Sequence, residues 1–367
     1  MSFTENNKYH TEHLYGLRAF CALIVALYHY KMISTSPVTD NLFIENGYRF
    51  VDVFFSLSGF ILYFKYSEIN KNIKSIYSFL KKRFLRLYPL HLLILFLFFL
   101  IEIAKLYFEQ NYDLYGNTHA FELLNIKSFF LKLLMLEGFW GNINATLALN
   151  PVSWSISIEF FCYILMIFII VCVKNKFHNL IFILITFSCL SLLIFKKSFF
   201  EIGNYMCLVR GIYSFFLPII IFILFKKIEF KNNNFISYII FFSFLYLINV
   251  NSISSYILCP ILLGFFINVT LNVKEKSHLI KLLNLDFLKF LGKISYGIYM
   301  FHVLIWWSIS QFFRFILKYD TKLILSKDIK IIDLTPLESN IILLLGLLIL
   351  ISISSLSYYF FEKKFYK

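Results

Sequence analysis

Two histidines lie in strongly apolar stretches of the sequence. His29 follows the run LRAFCALIVALY, and His302 lies within SYGIYMFHVLIWW. Imidazole titrates near neutral pH and can take a proton from a hydroxyl group, as a general base does. We therefore predict that His29 and His302 are catalytic. The alternative is that each ring is only packed and hydrogen-bonded, with His29 near the outer boundary of a membrane.

Arg18 precedes His29 by eleven positions. At 100° per residue, eleven residues make three helical turns plus about 20°, so both side chains would share one helical face about 16 Å apart along the axis. This spacing suits a site with a cationic entrance and a titratable group further in. The alternative is that Arg18 only anchors the helix at the membrane surface.

Two carboxylates also lie at or inside the start of apolar stretches. Asp52 begins DVFFSLSGFIL, where Asp52, Ser56 and Gly59 share one helical face, and Glu159 lies in WSISIEFFCYILMI. A carboxylate can orient a catalytic imidazole or stabilise its protonated form, so we predict catalytic roles for Asp52 and Glu159. Asp52 could instead cap a helix, and Ser58-Gly59 could serve close helix packing.

The main basic cluster lies in KKRFLRLYPLH, which contains Lys82, Arg83 and Arg86. Arg83 and Arg86 are neighbours on a helical face, and arginine forks match phosphate oxygens, so we predict a phosphate clamp here. Pro89 is expected to break the segment. The alternative is an ordinary cluster of cytoplasmic cations. Arg210, in CLVRGIYSFF, needs an anionic partner or a wet cavity.

Further polar and aromatic residues near these groups could hold the site or donate hydrogen bonds to a developing oxyanion. We assign this supporting role to Ser58, Trp154, Ser155, Arg210 and Tyr299. The six cysteines form no C-x-x-C pair, so we predict no metal site and interpret them as small buried apolar residues.

The composition predicts the elements that position these groups. Of the 367 residues, 59% are hydrophobic, 47 are Phe, and the mean hydropathy is +0.74. In soluble domains only about half of the residues are apolar, and a helical membrane span needs about 20. The predicted fold is an all-α polytopic membrane bundle of about ten transmembrane helices, at 14–30, 51–67, 87–107, 152–173, 178–195, 206–225, 235–250, 254–271, 294–316 and 339–360.

The formal net charge of +14 would suggest nucleic acid in a soluble chain, but loop lysines and arginines that set membrane orientation explain it here. Their larger share falls on one side and predicts that both termini are cytoplasmic, although five cations at 314–330 fit poorly. We predict one membrane domain over 1–367, without a fused soluble domain. It has a cytoplasmic tail at 1–13 and a long extracytoplasmic loop at 108–150, with an interfacial helix near 121–136.

The order of these motifs resembles acyltransferase family 3, the integral-membrane acyltransferases that modify cell-surface glycans and some lipids. The matching pieces run along nearly the whole chain: LRAF…YHY, VDVFFSLSGF, RFLR, WSISIEF, VRGIYSFF, SYGIYMFH and SYYFFEKKF. The family often ends in Glu, a basic residue and Pro, whereas Lys364 follows Glu362-Lys363 here. We interpret this terminal motif as remote from the chemistry.

The resemblance implies an O-acyltransferase in a bacterial cytoplasmic membrane, with no bound cofactor. Its donor would be cytoplasmic acyl-CoA, with acetyl-CoA as the expected co-substrate. Its acceptor would be a hydroxyl of an extracytoplasmic polysaccharide, such as lipopolysaccharide, or of a lipid-linked precursor. The implied roles are catalysis by His29, support by Glu159 and His302, and donor binding by Arg18, Lys82, Arg83 and Arg86.

Other functions remain open from the residues alone. Intramembrane Asp, Glu, His and Arg suit a transporter or proton-coupled exchanger equally well, although the sequence shows no inverted repeat. An acyltransferase with a lipid or amine acceptor would use the same groups, and a purely structural membrane protein would leave them unexplained. The sequence does not specify the acyl group, the acceptor hydroxyl, the oligomeric state, or whether an acyl-enzyme forms.

Overall fold

The computed structural model of the chain is almost entirely helical and describes residues 11–140, 143–196, 205–226, 228, 233–250, 252–271, 277–324 and 329–365. Residues 1–10 of the predicted cytoplasmic tail lie outside the described residues. In chain order, the α-helices are α1 (His13–His29), α2 (Leu42–Glu45), α3 (Phe50–Tyr66), α4 (Ile73–Tyr112), α5 (Ile126–Leu133), α6 (Glu137–Trp140), α7 (Ile143–Leu147), α8 (Trp154–Cys172), α9 (Asn175–Lys196), α10 (Met206–Phe225), α11 (Asn233–Ile248), α12 (Ile253–Leu271), α13 (His278–Leu283), α14 (Asp286–Lys293), α15 (Ser295–Gln311) and α16 (Pro336–Leu356).

Short irregular turns and one hairpin complete the secondary structure. Single 3₁₀ turns follow α1 and precede α3, and π-helical turns extend α15 over Phe312–Ile316 and α16 over Ser357–Phe361. Strands β1 (Thr321–Ile324) and β2 (Ile329–Ile332) form an antiparallel pair.

Six helices among the described residues are long and apolar enough to cross a membrane: Ile73–Tyr112, Trp154–Cys172, Phe177–Lys196, Met206–Phe225, Ile253–Leu271 and Pro336–Lys364. Helix α11 is apolar but shorter, and α1, α3 and α15 each have 17 residues. Every predicted span coincides with helical structure, so the prediction of an all-α membrane protein is confirmed. The count of about ten spans and the cytoplasmic position of both termini remain predictions.

Helix α4 runs unbroken through the basic cluster and through Pro89. The expectation that Pro89 ends this segment is wrong. Proline lacks an amide hydrogen and so removes one hydrogen bond from the helix, but the helical ladder continues on both sides of that gap. Lys82, Arg83 and Arg86 consequently lie within helical structure rather than in a loop.

The chain divides into two compact units, each built from three separated stretches. The first unit contains Met1–Cys21, Arg49–Phe84 and Ser157–Lys293. In it, α10 packs against α3, α9 and α12, and α11 packs against α12. Gly59 permits a close approach of α3 to α10, because a Cβ atom there would lie 2.1 Å from the backbone oxygen of Phe215. The structure therefore supports the alternative that Gly59 serves close helix packing.

The second unit contains Ala22–Tyr48, Leu85–Ile156 and Ile294–Lys367. In it, α15 packs against α16, where Gly346 makes room for the ring of Trp306. The predicted interfacial helix near 121–136 is wrong in extent, because the segment forms α5 and only then turns toward α6. Asn125 and Ser128 form a capping box that fixes the start of α5.

Five of the six cysteines are buried as small apolar residues, as predicted. Cys21, Cys162, Cys189, Cys207 and Cys259 are buried free thiols, whereas Cys172 is exposed at the end of α8. Buried cysteine packs as a small hydrophobe, which suits the interior of a helical bundle.

Candidate active site

The two histidines predicted from sequence lie side by side in the second unit. His29 is the last residue of α1, and its Nδ1 atom lies 3.1 Å from the Nε2 atom of His302 on α15. The ring centroids are 4.7 Å apart. His302 is fully buried, whereas His29 is partly accessible. The structure therefore brings together two residues that the sequence could only place in separate helices.

Backbone carbonyls define the proton positions on both rings. Val25 O lies 2.9 Å from Nδ1 of His29, and Tyr299 O lies 2.6 Å from Nδ1 of His302. A carbonyl oxygen only accepts, so each Nδ1 carries the hydrogen. The Nδ1–H group of His29 then forms a bifurcated hydrogen bond, to Val25 O and to Nε2 of a neutral His302. The lone pair of the His29 ring therefore lies on the Nε2 atom of His29. That tautomer is the one a general base requires.

Tyr299 connects His302 to the start of α8. Its hydroxyl lies 2.8 Å from Ser155 Oγ and donates to Val152 O at 3.2 Å, while its carbonyl accepts from His302. The sequence predicted Ser155 and Tyr299 as supporting residues, and the structure places them in contact. Trp154, the neighbour of Ser155, is also buried.

Two further hydrogen bonds lock the helices that carry the histidine pair. Trp306 Nε1 donates to Ala26 O at 2.8 Å, which joins α15 to the last turn of α1. Tyr30 OH donates to Ser339 O at 2.7 Å, which joins the end of α1 to the start of α16. These contacts flank both histidines and fix the separation of their rings.

The first unit holds a second polar group around Glu159 on α8. Ser58 Oγ donates to Glu159 Oε1 at 2.5 Å, and the hydroxyl of Tyr163 donates to the same oxygen. Ser58 and Glu159 were both predicted, whereas Tyr163 was missed. Its position four residues after Glu159, on the same helical face, is the signal that could have identified it.

Asp52 is the anionic partner that Arg210 requires. Arg210 Nε donates to Asp52 Oδ1 at 2.9 Å, and the two side chains are only 7% and 14% exposed. One turn further along α3, Ser56 Oγ donates to Ser214 O at 2.9 Å. The face shared by Asp52, Ser56 and Gly59 is therefore the face that α3 presents to α10.

Arg49 is a buried cation that sequence reasoning missed. Its Nη1 donates to the carbonyls of Leu247 and Ile248 at 3.0 and 2.8 Å, and its guanidinium lies 4.1 Å from the ring centroid of Tyr256. These carbonyls end α11, where a cation is favourable. A cavity of about 10 Å³, near the size of one water molecule, lies between Arg49 and Asp52.

The basic cluster on α4 borders an open groove in the first unit. The groove has a volume of about 290 Å³, and its lining includes Tyr66, Lys74, Ser75 and Lys82. The guanidinium carbon of Arg83 lies 5.9 Å from the ring centroid of Tyr66. Arg86 follows one turn later on α4, and Arg18 is half-buried in α1.

Glu362 corrects one interpretation of the sequence. It is buried, accepts a hydrogen bond from Ser357 Oγ at 3.0 Å, and lies so close to α15 that a Cβ on Gly297 would be 3.4 Å from its Oε1. The terminal motif is therefore not remote, since it packs beside the helix that carries His302. A sequence separation of dozens of residues concealed this contact.

A protein-family model described as an acyltransferase domain matches residues 13–361, which is nearly the whole chain. The chain belongs to acyltransferase family 3. No curated protein and no solved structure matched it. Membership of acyltransferase family 3, together with the apolar helices, makes the protein a membrane acyltransferase. Among the residues that the structure describes, no group of three or more His, Cys, Asp or Glu side chains could hold a metal ion.

Proposed function

We propose that this acyltransferase moves an acyl group, most simply acetyl, from cytoplasmic acyl-CoA to a hydroxyl of an extracytoplasmic polysaccharide or its lipid-linked precursor. His29 serves as the base. The observation that carries this proposal is the histidine pair, in which Val25 O and His302 Nε2 both lie within hydrogen-bond distance of His29 Nδ1. We place the enzyme in a bacterial cytoplasmic membrane.

The direct form of the reaction balances with one base. His29 Nε2 takes the proton of the acceptor hydroxyl, and the hydroxyl oxygen forms a bond to the thioester carbonyl carbon. The carbon–sulfur bond then breaks, and the leaving thiolate takes the proton from the imidazolium to give CoA. While His29 is charged, its Nδ1–H donates to Val25 O and to neutral His302 Nε2, and both acceptors stabilise the cation.

The remaining candidates fit supporting roles in this proposal. Glu159 is held by Ser58 and Tyr163, and Asp52 by Arg210, so both carboxylates are fixed rather than mobile. Such preorganised groups stabilise charge at little reorganisation cost. Ser58 and Tyr299 donate their single hydroxyl hydrogens to Glu159 and Val152 O, so Arg210 is the predicted oxyanion donor that we retain. Arg18, Lys82, Arg83 and Arg86 are the proposed contacts to the phosphates of CoA.

The test incubates membranes that contain the protein with isotopically labelled acetyl-CoA and compares surface glycans by mass spectrometry with and without the gene. Labelled glycan that depends on the gene supports the proposal. The variants His29→Ala and Glu159→Ala should insert normally but lose transfer, whereas His278→Ala, at an exposed helix start, should not. A loss of about 10²–10⁴-fold is expected for removal of a general base.

Other outcomes of this test would redirect the assignment. Label in a lipid or an amine would change the acceptor class. Gene-dependent substrate uptake without acyl modification of any acceptor would favour a transporter. An active and normally expressed His29→Ala variant would refute the histidine base.

A further inference from the structure

Lys132 is a buried cation that the proposed chemistry does not use. It lies on α5 and is 0% exposed, although the sequence suggested an interfacial position. Its Nζ donates to Thr146 O at 3.0 Å, Asn150 O at 2.8 Å and Ser153 Oγ at 3.1 Å. An ammonium has three hydrogens, so these contacts use all of them. Lys132 thereby ties the segment 146–153 to α5.

Two other buried titratable groups surround this ammonium. Glu137, which is 2% exposed and begins α6, acts on Lys132 through its charge. His91 on α4 donates from Nε2 to Lys132 O at 2.8 Å. Burial lowers the pKa of Lys132 to about 8, and the Glu137 carboxylate opposes that shift. The ammonium form therefore prevails at neutral pH, and raising the pH through 8 removes one of its three donors.

The segment held by Lys132 leads directly to the histidine pair. Val152 O accepts from Tyr299 OH at 3.2 Å, and Ser155 Oγ lies 2.8 Å from the same hydroxyl. Tyr299 O in turn accepts from His302 Nδ1 at 2.6 Å. All of these residues belong to the second unit. A continuous set of hydrogen bonds and short chain links therefore joins Lys132 to His302.

We infer that Lys132 is a positioning residue for acyl transfer: it holds segment 146–153 so that Val152 and Ser155 fix Tyr299, and Tyr299 fixes the tautomer of His302. The catalytic part of this role rests on the proposed function, whereas the positional part does not. A buried lysine with three ordered acceptors restricts a segment more than an apolar side chain of similar length, because its removal takes a donor from the carbonyls of Thr146 and Asn150 and leaves Asn150 O only its bonds from Ser153.

The experiment compares Lys132→Met and Lys132→Arg with the control Lys127→Met, whose lysine is exposed on the same helix. Folded protein is quantified in detergent, and kcat and KM for acetyl-CoA are measured per folded molecule. In Lys132→Met, kcat should fall by about tenfold to a hundredfold, because small misplacements of catalytic groups cost that much, while KM changes by less than about twofold. Lys127→Met should match the wild type.

The pH profile separates positioning from a merely structural role. Wild-type activity should decline above about pH 8, the range in which buried Lys132 loses its proton. Lys132→Arg keeps its charge in that range and should recover most of kcat without that decline. The inference would be overturned if the activity of Lys132→Arg declined above about pH 8 as that of the wild type does. It would also be overturned if kcat per folded molecule were unchanged in Lys132→Met.

Hydrogen exchange measured by mass spectrometry tests the positional part without any activity. Amides in 146–155 should exchange faster in Lys132→Met than in the wild type or in Lys127→Met. Unchanged exchange in this segment would overturn the inference even if acyl transfer is observed. If the wild type transfers no acyl group, the proposed function fails, while faster exchange in Lys132→Met still supports the anchoring of this segment by Lys132.

Discussion

The Nε2 atom of His302 lies 3.1 Å from the Nδ1 atom of His29, so a neutral imidazole stands where many hydrolytic and transfer enzymes place a carboxylate. This arrangement buries no extra charge beside the base. A carboxylate would add charge–charge attraction to a protonated His29, which neutral His302 lacks, so His302 stabilises that cation less than Asp or Glu would. The pairing makes His302 an orienting acceptor for His29.

The orienting role of His302 can be tested with two substitutions. His302→Gln retains an oxygen that can accept from His29, whereas His302→Ala leaves that hydrogen without this acceptor and opens a cavity. We expect acyl transfer per folded molecule to fall about 10²-fold or more in His302→Ala and less in His302→Gln. His278→Ala serves as the control, measured in the same labelled-donor assay. Equal activity in both His302 variants would show that the acceptor atom does not matter.

Removing one partner of the buried Asp52–Arg210 pair should lower the stability of the folded protein. Removing one partner of a buried pair typically costs about 3–5 kcal/mol because a charge remains buried without compensation. We expect Asp52→Asn to unfold at a clearly lower temperature in detergent, and Asp52→Asn combined with Arg210→Gln to recover part of the loss. Glu45→Gln removes the more exposed Lys31–Glu45 pair and should cost under about 1 kcal/mol. Additive losses in the double variant would contradict this prediction.

Gly59 should tolerate no side chain. A Cβ would lie 2.1 Å from Phe215 O, and backbone atoms cannot yield as a flexible side chain does. We expect Gly59→Ala to lose about 1–3 kcal/mol of stability or more, because α3 and α10 must separate. The matched control is Gly116→Ala, where the nearest atom would be 3.5 Å from the Cβ. Thermal unfolding of both variants in detergent checks this prediction, and equal midpoints would contradict it.

The arginines of α4 should affect donor binding more than the chemical step. Replacing Arg83 and Arg86 by Gln removes two guanidinium groups that suit phosphate, so KM for acetyl-CoA should rise about tenfold or more while kcat changes less. Lys322→Gln, which removes a single cation paired with Asp333, is the control for loss of positive charge elsewhere and should leave KM unchanged. A fall in kcat at constant KM would place these arginines outside the donor site.

Much of the candidate site could be predicted because intramembrane charges are costly wherever they occur. The cost of an ionisable side chain inside a membrane is enough to single out five candidates: His29, Asp52, Glu159, Arg210 and His302. Arg49 and Lys132 did not stand out, because a cation near the edge of an apolar run reads as a membrane-surface anchor. Only the packed structure shows that Arg49 caps α11 and that Lys132 is enclosed by Thr146, Asn150 and Ser153.

The sequence by itself determined the helices, the membrane class and the family, because apolar runs, helical periodicity and motif order are local properties of the chain. The tertiary structure alone decided the partners. Asp52 and Arg210 are 158 positions apart, and His29 and His302 are 273 apart. Such contacts depend on which helical faces pack together, and many packings satisfy the same local pattern. Pro89 and Glu362 were misjudged for this reason, since their effect depends on surroundings that no local motif contains.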